Sequence, residues 1–467
     1  ISSADKVKEE AKLVNNSHFG FLDPIHTPEC HDAQTEVFTR RGWVRWPEVH
    51  DKDEFLCRSE NRSFFARAER IIASRFRGRL FGMDNGKVAY LVTPNHRMWH
   101  RPTAARGKST LRMERADQVH GRARLFPVAH SPVTGPSKPN FRIPRVKGDT
   151  KTLNVSSISM RLWAEFMGWF LSEGSVTFGT TRSVKVSISQ NKKANPEEYE
   201  RIRALLARLP FGPWGEEKDG RGFYNGRKQL ASYLKQFGYC HEKHIPEYIF
   251  TASLEAREAF LEAMLLGDGR LFSTRKTTSR VKSYKQKVFT TTSSQLAADF
   301  EKLATIMGYS VRTAKYADHR EERYLDVFEV RLLRHRERGA QPKKGHYFTE
   351  LYEGEVFCAT VPGGLLFTRR PGRLGVWSGN SENTGVTLHL PIGVKKIGNN
   401  PTIQLYNIQT GMVQHVPPKE FIKANVVLPD QVEWKNGKPI PRSETVKVSR
   451  IGNEIGEAKF SDAKYER

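Results

Sequence analysis

Residues 165–175 read EFMGWFLSEGS, and residues 260–270 read FLEAMLLGDGR. In each, a small residue (Gly168, Ala263) stands five positions before an acid (Glu173, Asp268), and a glycine follows (Gly174, Gly269). Apolar residues dominate the run before each acid, so each stretch predicts a helix that ends at the acid-glycine pair. A small residue on a helix lets a second helix approach closely. Two such helices packed together bring both acids to their C-terminal ends, and the glycine frees the chain to turn into a strand. A single acid-glycine pair is usually a helix cap. Here there are two, 95 residues apart, and each heads a unit of the same kind. The first continues through SVKVSISQN to PEEYERIRALLARL, the second through KVFTTTSSQ to LAADFEKLATIMG. Helix, strands and helix, occurring twice between about residues 156 and 315, form an internal duplication and predict pseudo-twofold symmetry within one chain.

Carboxylates side by side repel, and a divalent cation relieves the repulsion. Mg²⁺ takes carboxylate and phosphate oxygens together. Glu173 and Asp268 are therefore the expected metal ligands, and metal-assisted phosphodiester hydrolysis is the expected chemistry. The charge balance agrees. Lys and Arg number 76 against 51 Asp and Glu, a net +25, which points to a polyanion and above all to nucleic acid. The strand SVKVSI and the run STRKTTSRVKSYKQKV (273–288) offer Arg, Lys, Ser, Thr and Gln for phosphate and base contacts.

Outward from the duplicated segment, composition divides the 467 residues further. Residues 1–29 read as a polar helix and a loop. From Cys30 to about Pro127, short alternating runs separated by Gly, Asp and Asn predict a compact all-β unit. Residues 129–151, rich in Pro, Ser, Gly and Lys, read as a linker. β character returns between about 345 and 377 in a piece too short to bury its own core, so it is expected to complete the earlier all-β unit. Composition shifts again after Ser381. The expected organisation is multidomain: 1–29, 30–140, 155–340, 345–380 and 381–467, with an all-β unit split by an α+β insertion.

The ends of the 30–380 segment carry chemistry in a definite order. The Cys30 thiol can attack the Glu29 carbonyl to give a thioester. In the run TPNH, Thr93 and His96 can donate to that carbonyl and protonate the departing amine. Asn380 can close on its own carbonyl as a succinimide and release the chain that begins at Ser381, whose hydroxyl takes the acyl group. Each signal alone is weak, since a lone Cys is more often a buried apolar residue. Their joint order, inside β segments that flank an inserted domain, is much more specific and is the order that protein splicing needs.

The segment CHDAQTEVFTRRGWVRW resembles the opening block of inteins, LVTPNHRMWHR resembles their TxxH block, and EVFCATVPGGLLFTRRPGRLGVWSGNS resembles their closing blocks. The resemblance spans Cys30–Asn380 and implies the horseshoe-like all-β HINT fold. Two departures stand out. Gly379 occupies the place of a frequent His, so Asn cyclisation needs other assistance. Cys358 stands where many inteins carry Asp; it either assists proton transfer, carries a transient acyl group, or is a small buried residue. With Cys30 intact, a route beginning at Cys30 is favoured. The paired helices resemble the LAGLIDADG motifs of homing endonucleases, with Glu173 in place of the first Asp. That resemblance implies an αββαββα duplicated fold, Mg²⁺, double-stranded DNA as partner (the intein-less host gene), and cleavage of both strands. Lys243 resembles the basic residue that the family places near the scissile phosphate, although a solvated surface lysine fits the residues nearly as well. Joining Glu29 to Ser381 gives SHFGFLDPIHTPE-SENTGVTLHLPIG, which is similar to a segment of multisubunit RNA polymerase β-type subunits. Asp23, Phe21 and Val386 depart from that pattern and suggest a divergent, phage-type host, whose partners after splicing would be the other polymerase subunits.

Four cysteines without zinc-ligand spacing fit a reducing compartment, and no apolar run approaches the ~20 residues of a membrane span. The N-terminus ISSADKVKEEAK lacks an apolar signal core. A cytoplasmic fragment of a longer reading frame, in a bacterial or phage-infected cell, is the expectation. Two rivals remain: a splicing domain carrying an inactive DNA-binding relic, and a structural polymerase subunit with a basic insertion.

Overall fold

The computed structural model describes residues 29–380 except 60–61, 104–110, 129, 147–154, 180–182, 274–284, 318–324 and 334–338; beyond residue 387 it describes strands alone. The chain divides into two compact units, one ending at Asn380 and the other beginning at Ser381.

In the first unit, the alternating runs after Cys30 form strands β1 (His31–Asp32), β2 (Glu36–Thr39), β3 (Arg70–Asp84), β4 (Ala89–Val92) and β5 (Arg97–Pro102). Near its end come β6 (Tyr347–Thr360), β7 (Leu365–Arg369) and β8 (Val376–Gly379). These late strands find their partners among the early ones. β6 runs antiparallel to β3 from Tyr347↔Met83 to Thr360↔Arg70. β1 pairs with both β6 and β4, which closes a small barrel. β7 pairs with β2, and β8 lies between β7 and β5 in a nine-stranded sheet. The pairing follows from burial. Val356, Phe357, Cys358 and Leu366 enter one core with Cys30, Val37, Trp46 and Phe55, and neither segment could cover these side chains alone.

Between β5 and β6 the duplicated segment places helices α1 (Met160–Glu173), α2 (Leu254–Gly267) and α3 (Ser294–Ile306). After α1 comes a four-stranded sheet of Gly174–Phe178, Val184–Ser189, Gly222–Asn225 and Gly215–Glu216, in that spatial order. After α2 comes another of Gly269–Ser273, Lys285–Thr291, Val327–Leu333 and Ser310–Tyr316, with the same topology. The helices α1 and α2 pack together through Gly168. A Cβ there would meet the Phe260 carbonyl oxygen at 2.5 Å and the Ala263 Cβ at 2.7 Å. Trp163, Phe166, Trp169 and Phe170 of α1 are fully or almost fully buried, each worth about 1.5–3 kcal/mol of apolar burial.

One expectation needs correction. The stretch read as a linker is packed onto its neighbours. Asn140–Phe141 pairs with Ile158–Ser159, the Phe141 ring stacks on Trp163 at 4.9 Å, and the Val133 N–H donates to the Ile306 carbonyl. His130 lies edge-on against Phe367 and Trp377. The glycines after the acids end the helices and open the strands, as expected. Gly174 has extended backbone at φ −93°, and a Cβ on it would strike the Phe170 carbonyl oxygen at 2.5 Å. A Cβ on Gly269 would strike the Leu265 carbonyl oxygen at 2.1 Å. Close approach to the helix end is what excludes a side chain at both positions.

Arg369 of β7 fastens the sheet to α3. Its guanidinium donates to Glu36 at 2.5 Å and to Glu301 at 2.6 Å and lies over the Trp43 ring. The second unit holds a six-stranded sheet and a hairpin of Val432–Lys435 with Lys438–Pro441. Among the described residues, no helix is long and apolar enough to cross a membrane.

Candidate functional sites

The first site lies where β1, β5 and β8 converge. Cys30 is fully buried. Its N–H donates to Thr93 Oγ1 at 3.0 Å, and the Thr93 N–H donates back to the Cys30 carbonyl at 2.9 Å. Thr93 thus grips the amide that would depart in an acyl shift. His96 is fully buried, and its pKa is pushed down to about 4 by burial. The nearby Glu29 backbone opposes that shift. His96 Nε2 lies 2.6 Å from Ser378 Oγ, and its Nδ1 is buried beside the Glu29–Cys30 amide without a hydrogen-bond partner among the described residues. The Glu29 carboxylate is held by Arg97 at 3.2 Å.

Asn380 is buried beside the same sheet. Its N–H donates to the Gly364 carbonyl at 3.0 Å and its Nδ2 to the Val361 carbonyl at 3.1 Å. Gly379 has no room for the histidine often found there. A Cβ would meet the Arg97 carbonyl oxygen at 2.6 Å and the Met113 methyl at 2.7 Å. Cys358 is buried, and the β1–β6 register, His31 opposite Phe357, continues to Cys30 opposite Cys358. Burial, then the Cys358 charge, then Glu29 push the Cys30 thiol far above the usual range. Ser381 lies outside the described residues. Two residues not singled out from the sequence join the site: Ser378 Oγ is 2.6 Å from His96 Nε2 and 3.3 Å from His31 Nε2. Their positions next to Cys30 and near Asn380 were the only available signal.

The second site lies at the paired ends of α1 and α2. Partial desolvation at the helix ends and the adjacent Glu173 carboxylate push Asp268 up to about 7, although Asp268 itself is exposed. Burial also raises Glu173, with Lys243 opposing. Lys243 is buried, not solvated. Its Nζ donates to the carbonyls of Phe170 at 3.2 Å and Gly174 at 2.9 Å, which caps α1 and sets a cation beside both acids. A carboxylate close enough to raise its neighbour's pKa, as Glu173 raises that of Asp268, forms with it a donor set suited to a divalent cation. Among the described residues no cluster of three or more His, Cys, Asp or Glu side chains could hold a metal. The remaining ligands would therefore be main-chain, water or substrate oxygens.

The adjoining sheets present polar faces. By register, Ser175, Ser187 and Tyr224 align across one strand row and Thr177 with Lys185 across the next. The second sheet aligns Arg270, Arg312 and Arg331, with Glu329 pairing both Arg270 and Arg331. Most of the basic run 273–288 lies outside the described residues.

No protein-family profile matches the chain. Among curated proteins, it is 20% identical over 398 residues to the DNA-directed RNA polymerase subunit beta C-terminal section of Stigeoclonium helveticum, covering 76% of this chain and 37% of that protein. It is 22% identical over 265 residues to the ATP-dependent Clp protease proteolytic subunit of Chlamydomonas moewusii, covering 52% of this chain and 25% of that protein. The chain thus spans well under half the length of either relative. Its structural neighbours include the AceL NrdHF class 3 split intein in a GSH-linked, splice-inactive variant (8% identity, TM-score 0.26, 76% of this chain and 100% of that one). They also include the homing endonuclease I-DmoI with DNA and Mn (14% identity, TM-score 0.26, 37% and 90%) and I-SmaMI bound to uncleaved DNA (14% identity, TM-score 0.22, 39% and 80%).

Proposed function

We propose that residues 30–380 form a self-excising acyl-transfer unit that carries a metal-dependent DNA endonuclease. More narrowly, it is an intein of HINT fold with an embedded LAGLIDADG nuclease, inserted in a host related to RNA polymerase β subunits. The observation that carries the reading is the shared β scaffold of the two ends. Strands β1 and β8 bring the Glu29–Cys30 amide, His96 and Asn380 into one buried neighbourhood.

The chemistry runs in four steps. The Cys30 thiol adds to the Glu29 carbonyl while His96 donates to the developing oxyanion, and the amide nitrogen held by Thr93 takes a proton as it leaves. The acyl group passes from the Cys30 thioester to the Ser381 hydroxyl, which loses its proton. Asn380 Nδ2 then attacks its own carbonyl, forming a succinimide and freeing the Ser381 amine. That amine takes the acyl group from its own oxygen to give a peptide bond. In the nuclease, Glu173 and Asp268 would hold Mg²⁺, which would polarise a scissile phosphate and activate water. Lys243 supplies positive charge beside them, and the polar sheet faces would track the duplex.

Intact-mass measurement after expression is the test. Spliced host and free intein are expected, whereas Cys30→Ala with Asn380→Ala should leave precursor alone. Excision by that double variant would sink the junction assignment. Glu173→Gln or Asp268→Asn should abolish Mg²⁺-dependent cutting of the uninterrupted host gene and leave splicing intact. Undiminished cutting by both variants would reject the metal ligands.

A further inference from the structure

The acyl group that would pass to Cys30 carries the side chain of Glu29, and the fold grips that side chain. Arg97 Nε donates to Glu29 Oε2 at 3.2 Å, and the two side chains are 22% and 10% exposed. A pair so far out of water attracts more strongly than a surface pair, and either charge is costly there once its partner is removed. Arg97 opens β5 and directly follows His96. Its cross-strand neighbour is Arg115, whose charge is answered by Asp117 at 2.7 Å. On the other side Arg97 lies against β8. A Cβ on Gly379 would meet the Arg97 carbonyl oxygen at 2.6 Å and the Arg97 Cβ at 3.1 Å. A side chain at 379 would displace Arg97 and, with it, the hold on Glu29. The bare glycine before Asn380 and the ion pair at the upstream junction are therefore one arrangement, complete only when β5 and β8 are docked.

We propose that Arg97 is the specificity-determining residue of the upstream acyl shift, selecting an acidic residue at the position before Cys30 by gripping the side chain of the acyl group. The proposal rests on the splicing reading given above. The grip acts through orientation. With its carboxylate held, Glu29 cannot turn its carbonyl freely, and a small error in the geometry of attack is expensive in rate. A competing effect runs the other way. The Glu29 charge helps to raise the Cys30 thiol, so removing that charge eases ionisation of the nucleophile. Its contribution is the smallest of three, behind burial and Cys358, so the loss of grip outweighs it. A basic residue in place of Glu29 would add repulsion, since it would set two cations together in a site with little water.

Two measurements on the full-length precursor test this. The first is cleavage after residue 29 by added thiol in a chain carrying Asn380→Ala, which reads the upstream step alone. Glu29→Lys and Arg97→Glu should each slow it about 10–100-fold. The two together restore an ion pair of reversed polarity and should cleave about tenfold faster than either single variant. A role for Arg97 confined to packing would instead make the two losses add. The second measurement randomises position 29 with Asn380 intact and reads the residue carried into spliced host by mass spectrometry. With Arg97 present, Glu and Asp should be enriched; with Arg97→Glu, Lys and Arg should be. Each comparison is made within one background, so a general loss of stability does not produce the switch. If Arg97→Glu does not fold, by circular dichroism, Arg97→Met keeps the apolar stem and should erase the preference for acid. Single variants that cleave at the parent rate, or an acid preference that survives both Arg97 substitutions, would overturn the proposal. If the chain with Glu29 and Arg97 neither splices nor cleaves with thiol, the splicing reading itself fails. A double-mutant cycle on the urea midpoint then still reports whether the two charges are coupled.

Discussion

At the residue scale, the two cysteines that oppose each other across β1 and β6 have different expected weights. Cys30 carries the amide N–H that Thr93 Oγ1 holds at the upstream junction, whereas Cys358 touches that step only as a neighbour of the thiol. Cys30→Ala should therefore abolish thiol-induced cleavage after Glu29. Cys358→Ser keeps a small polar group and should cost less than about tenfold, the kinetic equivalent of one modest contact. Quantitative cleavage assays at fixed thiol separate the two, and the reverse ranking would move the nucleophile to Cys358. That Cys30, Thr93, His96 and Asn380 belong together could be read from the sequence because each is a distinct chemical type in a fixed order, and all four are buried in the first unit. Ser378 and His31 could not, because a serine and a histidine acquire meaning only when folding brings their ring and hydroxyl atoms together.

At the element scale, the helix pair was legible because 3.6-residue periodicity and a repeated small-residue spacing are local properties. The partnership of β6–β8 with β1–β5 was legible for another reason: a strand segment with a buried face and no core of its own must borrow one. The packed course of residues 130–146 was not legible. Pro, Ser and Gly report irregular backbone, and irregular backbone can still bury a Phe141 ring. The α1–α2 contact yields a prediction with competing terms. Gly168→Ala gains about 1 kcal/mol of helix propensity. The added methyl, however, would sit 2.5 Å from the Phe260 carbonyl oxygen, and overpacking costs about 1–3 kcal/mol. The net effect should be a lower urea midpoint and weaker DNA cleavage, as the helices separate and Glu173 and Asp268 move apart. An unchanged midpoint and unchanged cleavage would mean that the two helices tolerate a wider spacing. Arg369→Ala should be worse, by about 3–5 kcal/mol, since it leaves the Glu36 and Glu301 carboxylates facing one another with little water. The same denaturation assay reads both variants.

At the scale of the whole molecule, the buried histidines set an acid limit on the first unit. Burial lowers His31 well below its ordinary value and takes His96, His100 and His130 to about 4. In the unfolded chain each titrates near 6.5. The folded state therefore holds these rings neutral where the unfolded state already binds protons. Their contribution to stability is fully present above pH 6.5 and is lost as the pH falls below it, the loss from His96, His100 and His130 levelling off below about 4. Each ring adds at most about 1.4 kcal/mol per pH unit to the slope in that window. The net charge of +25 also favours acid unfolding, but self-repulsion grows over a broad range as carboxylates protonate and weakens with added salt. His130 separates the two causes, because it lies against Phe367 and Trp377, with Nδ1 toward the Ser131 carbonyl, and not against Cys30, His96 or Asn380. His130→Gln should flatten the fall of the urea midpoint between pH 6.5 and 4, at constant high salt, without altering the slope above pH 7. A variant whose slope matches the parent's throughout would show that charge repulsion, and not proton uptake by buried imidazoles, sets the acid limit.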